Sequence, residues 1–176
     1  MNKICTKFSF KIIPVKYNAM KYYLNARENL VMGDTLLAGE NLWGCISYVV
    51  REFYGMINIG IENHRASKAL FEFAVDHYPG KDRDLARPFD AAQECHKAYY
   101  KGGLDYDKLD ICFDGAEFFM KEFPKINHNE VKKAIDPYVK LAAEHTSLNN
   151  VKFSKANVGC KEEFCDKEYN IDYKAT

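Results

Sequence analysis

The sequence predicts an all-α fold, an antiparallel bundle of five to six helices with short β-strands at its ends. Three observations predict it. Apolar residues recur at intervals of three and four along most of the chain. Cap and breaker residues punctuate these stretches at helical lengths. The connections between them are short, which makes neighbouring helices antiparallel.

The elements follow in order. Residues 7–12 alternate, with Phe8, Phe10 and Ile12 on one side and Lys7, Ser9 and Lys11 on the other, a strand pattern that Pro14 ends. Its one comparable partner in the chain is 151–155. The first helix runs from about Asn18 to Met32, with Met20, Tyr23 or Leu24, Arg27 and Leu30 or Val31 at helical spacing, and Gly33 closes it. Asp34 caps a second helix to about Ile57, whose inward stripe is Leu42, Ile46, Val49, Val50 and Phe53. A third covers His64 to Tyr78 and turns its Leu70, Phe73, Ala74 and His77 inward. The fourth spans Asp84 to the Gly102-Gly103 stop, with Pro88 tolerated near its first turn and Leu85, Phe89, Ala92, His96 and Tyr99 inward. Asp107 caps the fifth, which buries Cys112, Ala116, Phe119 and Phe123. Asn127 followed three residues later by Glu130 opens a sixth, broken or kinked at Pro137 and ending near His145. The organisation is therefore an extension over 1–16, a bundle over 17–123, a further packed helix over 124–146, and an irregular polar tail over 147–176.

Composition narrows the class. At 176 residues, 47% apolar and 28% charged, the chain is globular and sized for one domain. Its formal net charge of +0 gives no overall attraction to nucleic acid or acidic lipid. Charge is unevenly placed: six bases face one acid over 1–32, against sixteen acids and ten bases over 34–123. The basic end reads as a solvated terminus or as an arm that contacts phosphates. No apolar run approaches the roughly 20 residues of a membrane span, and no signal peptide is evident, so a cytoplasmic location without membrane association is expected. In that compartment the six cysteines are expected to be reduced. Cys45, Cys95 and Cys112 fall inside helices as core fillers. Cys160 and Cys165, in the run Cys-Lys-Glu-Glu-Phe-Cys, are spaced for a disulfide better than for a metal clip, because no His or second Cys pair stands beside them.

Motifs for chemistry are missing. The Glu-x-x-His pairs of di-iron bundles, His-Glu-x-x-His, a glycine-rich phosphate loop and Gly-x-Ser-x-Gly do not occur, so neither metal nor cofactor is expected. Cys95 and His96 are neighbours, but adjacent helical side chains point about 100° apart and do not face each other.

The stretch Tyr22-Tyr-Leu-Asn-Ala-Arg-Glu-Asn-Leu, then Gly33-Asp34, then Ala38-Gly-Glu40-Asn-Leu-Trp43-Gly-Cys resembles the first helix pair of the archaeal PaREP family. Ala91-Ala-Gln-Glu-Cys-His96-Lys-Ala-Tyr99-Tyr100 is similar to that family's Ala-x-x-Leu-His-x-Asn-Phe-Tyr segment, with Ala98 in place of the Asn. The resemblance spans roughly 18–123 and implies a HEPN-like helical bundle, a superfamily of RNases, toxins and nucleotidyltransferase partners. HEPN RNases carry an Arg followed four to six residues later by His. Here Arg51, Arg65, Arg83 and Arg87 precede the next His by 9 to 13 residues, so that catalytic spacing is absent.

The candidate site residues are accordingly for binding. His96 and Tyr100, one turn apart, line a small pocket or mark a core-edge histidine; Glu40 and Trp43, at i and i+3, form its opposite wall or mere packing. Arg51 is placed to contact a phosphate if RNA binds. Gly39, Gly44 and Ser47 beside Trp43 and Tyr48 allow close approach, either of a helix in the same bundle or of a second copy in a two-fold homodimer. The expected function is non-catalytic binding of a nucleotide, RNA or a protein partner. The alternatives are an RNase or small-molecule hydrolase centred on His96, and a toxin–antitoxin-type interaction protein.

Overall fold

The computed structural model describes residues 16–61, 64–102, 104–144, 153–164 and 167–175. Six helices follow one another: α1 Ala19–Val31, α2 Thr35–Gly55, α3 His64–Val75, α4 Asp82–Lys101, α5 Tyr106–Glu122 and α6 His128–Glu144. Together they hold more than half the chain, and they form the expected all-α bundle. The expected strand at 7–12 lies outside the described residues, as does Cys165 and with it the Cys160–Cys165 disulfide that the spacing allows.

Local chemistry sets the boundaries. Asn18 caps α1 by accepting a hydrogen bond from the Lys21 amide at 2.8 Å, and Asp34 does the same for the Leu37 amide of α2 at 2.9 Å. Gly33 joins the two helices at φ +79°, a conformation a β-carbon disfavours. Asp105, not Asp107, caps α5 by accepting from Lys108 N. Asn127 caps α6 through Asn129 N and Glu130 N. The expectations about proline fail for Pro88 and, as to a break, for Pro137. Pro88 stands at the seventh position of α4, beyond the first turn, because the helix already starts at Asp82. The sixth helix continues through Pro137 to Glu144.

α2 is the central element, packing against α1, α3, α4 and α5. Its whole predicted stripe is buried, along with Trp43 and Tyr54. Phe71 stacks flat on Phe89 at 3.9 Å, and Phe119 on Phe123 at 5.0 Å, so rings from α3, α4 and α5 meet in one core. Val131 and Ile135 join α6 to it. The inward face of α1 differs from expectation. Ala19, Tyr23 and Ala26 face in, whereas Met20, Leu24, Leu30 and Val31 are exposed. Small alanines let α1 lie close to α2, and Gly44 of α2 receives the Tyr22 ring. Tyr99, expected inward, is exposed as well.

The tail is not irregular. β1 Ile59–Ile61, β2 Phe153–Phe164 and β3 Lys167–Ala175 form a sheet in the order β1-β3-β2. β3 runs parallel to β1 and antiparallel to β2, with Phe153 opposite Ala175. Thus, among the described residues, the partner of 153–155 is β3. β1 escaped the sequence reading because three residues leave no period to detect; Asn58 turns into it at φ +63°. Among the described residues no helix is long and apolar enough to cross a membrane.

His128 illustrates a polar group held against the core. Its ring stacks on Phe53 at 4.2 Å, and its Nε2 is buried without a hydrogen-bond partner among the described residues. Burial pushes its pKa down. The unfolded chain therefore takes up this proton before the folded one does, so stability falls as pH drops below about 6.5. His128→Phe should keep the stack, remove the unpaired nitrogen, raise the melting temperature at neutral pH and flatten the acid limb; melts from pH 7.5 to 5 check this.

Candidate functional site

α2 and α4 bring four sequence-selected residues together. His96 Nδ1 lies 2.6 Å from Glu40 Oε2. A carboxylate can only accept here, so Nδ1 carries the proton and donates it, which leaves Nε2 as the ring's free acceptor whenever the imidazole is neutral. The two side chains remain partly open, 13% and 27% exposed. Trp43 stacks on the His96 ring at 5.4 Å and 30°, and Tyr100 meets its edge at 5.1 Å and 77°. Carboxylate, indole and phenol together leave this imidazole little freedom to turn.

His64, at the start of α3, is the member that sequence reasoning missed. Its ring lies 4.5 Å from His96 and 5.4 Å from Trp43. Helical spacing could not reveal it, since 24 residues separate it from Glu40 and it stands on a different helix. The residue is exposed overall, but Trp43 and His96 cover part of its ring. That loss of water, the neighbouring His96 and the Arg51 cation lower its pKa in that order, while Glu40 opposes them. Arg51 is thus within electrostatic reach of the site, though its side chain is exposed and makes no direct contact with these rings.

These causes have opposite signs, which makes them testable. Arg51→Gln should move the His64 titration midpoint up, and Glu40→Gln should move it down, as read from imidazole proton resonances across pH 4–8. Parallel shifts in both variants would contradict the geometry.

The pair Trp43 and Gly39, expected to serve either the bundle or a second copy, serves the bundle. Trp43 is 3% exposed and wedged between His64, His96 and Phe89. A β-carbon on Gly39 would sit 2.9 Å from Cys95 Cβ, and one on Gly44 2.5 Å from the Tyr22 ring. Those glycines seat α4 and α1, so this face of α2 is not free for pairing between copies.

No group of three His, Cys, Asp or Glu side chains suited to a metal ion occurs among the described residues. No family model, curated protein or solved structure matches the chain.

Proposed function

We propose that the open face formed by His64, His96 and Tyr100, backed by Trp43 and Glu40, binds single-stranded RNA without cleaving it. The observation that carries this reading is the anchored imidazole stack. Its exposed flank, with Tyr100 at 70% exposure and His64 each set against His96, offers flat π-surfaces at the solvent boundary. Successive bases stack on such surfaces whatever their sequence. Arg51 supplies the cation for a neighbouring phosphate. With net charge near zero and one such contact, affinity should depend weakly on salt.

Two features weigh against cleavage. The Arg-to-His spacing of HEPN RNases is missing. In-line displacement at phosphorus also needs its base and acid on opposite sides of the reacting atom, and rings 4.5 Å apart leave no room between them.

Fluorescence anisotropy with a labelled single-stranded RNA tests the proposal. Tyr100→Ala should weaken binding about five- to a hundredfold, the range expected for one lost stacking surface, and Arg51→Gln should weaken it less. Equal affinity in wild type and Tyr100→Ala would remove the reading.

A second reading, a hydrolase, draws on one observation: the Glu40–His96 contact orients an imidazole as a general base does. Turnover of RNA or a simple ester that disappears in His96→Ala would place it first. Pairing of two copies, if it accompanies either activity, has the exposed Met20, Leu24 and Val31 of α1 as its apolar surface.

A further inference from the structure

α4 and α5 approach each other closely where Gly115 faces Pro88; a β-carbon on Gly115 would lie 2.4 Å from Pro88 Cβ. Beside that contact opens a groove of about 630 Å³, within the range of small-molecule sites. Arg83, Asp84 and Arg87 line it from α4, and Ile111, Asp114 and Phe118 from α5. Arg83 and Arg87 stand one helical turn apart, so their guanidinium groups share one wall. Neither makes an ion pair with a described residue, although two carboxylates line the same groove. Phe118 is one of the few exposed phenylalanine rings. Pro88 has no N–H, which leaves the Asp84 carbonyl without its helical donor.

We propose that this groove binds a small molecule with an oxyanion at one end, a planar apolar body and a hydrogen-bond donor at the other. The two guanidiniums hold the oxyanion, in the forked geometry that suits phosphate and carboxylate alike. Ile111 and the Phe118 ring carry the body, and Asp114 accepts from the donor. A nucleoside monophosphate and an aromatic amino acid both have this chemistry. The site is separate from the RNA-binding face: His96 follows Arg87 by about two and a half turns and so projects from the opposite side of α4.

The test is a titration of the full-length, isotope-labelled chain with adenosine monophosphate, tryptophan (whose ring N–H is the donor remote from its carboxylate) or inorganic phosphate, followed by amide resonances. One of the two organic ligands should give saturable shifts at Arg83, Arg87 and 114–118. Saturation by the nucleotide alone identifies phosphate as the oxyanion, and by tryptophan alone, carboxylate. Arg87→Gln should weaken that binding about tenfold, and Arg83→Gln with Arg87→Gln should abolish it. Both side chains are exposed, so the fold should survive, which circular dichroism verifies. The proposal is overturned if neither organic ligand saturates, if inorganic phosphate binds as tightly as the nucleotide, or if the double variant binds unchanged.

Discussion

Trp43→Ala should cost the fold about 3–5 kcal/mol, the range for removing a large buried aromatic side chain. For a chain of this size that corresponds to a fall in melting temperature on the order of 10 °C. The indole is 3% exposed and touches three rings from two other helices, Phe89 and His96 on α4 and His64 on α3. Its loss leaves a cavity that those rings cannot fill by small shifts, because Phe89 is already stacked on Phe71. The mass of the folded variant by light scattering should match wild type, since the indole faces its own bundle. Trp43→Phe, which keeps an aromatic in the wedge, should lose less. A variant that melts like wild type but changes its mass would show Trp43 to be an intermolecular contact after all.

Much of this arrangement was legible before any coordinates. The α2 stripe, the Asp34 cap and the Gly33 turn all follow from local chemistry, where period and cap agree. Glu40, Trp43, His96 and Tyr100 could be chosen as one group because each pair sits one turn apart on its helix. What local reasoning missed depends on contacts between distant segments. His64 reaches the site only because α3 packs beside α2 and α4. On α1, periodicity left Tyr23 and Leu24 as alternatives beside Met20; close packing on α2 selected Tyr23 together with Ala19 and Ala26 and left Met20 and Leu24 outside. The C-terminal hairpin pairs with β1, and composition alone could not reveal a partner so short and so far away.

The thiols of Cys45, Cys95 and Cys112 should be the most protected groups in the molecule. They come from α2, α4 and α5, are free, and are buried in one interior. Burial pushes the Cys45 thiol up to about 12 and Cys95 to about 11, with Asp105 and Glu94 adding to the latter; burial also raises Cys112 well above its ordinary value. At pH 8 only about one Cys45 thiol in ten thousand is then ionised, against roughly a tenth at the ordinary thiol value of 9.0. Since the thiolate is the nucleophile, alkylation at Cys45 should be slower in the folded protein than in denatured chain by about a thousandfold or more. The same shifts govern alkaline stability. A raised folded pKa means the native state keeps its proton longer than the unfolded chain, so this contribution is complete below about 9 and is lost as pH rises towards 12. Cys45→Ala should therefore flatten the alkaline limb of the melting curve between pH 9 and 11. Iodoacetamide labelling resolved by peptide mass spectrometry separates these three sites from the other cysteines. Labelling of Cys112 at the denatured rate under native conditions would mean that α2, α4 and α5 do not close over a common interior.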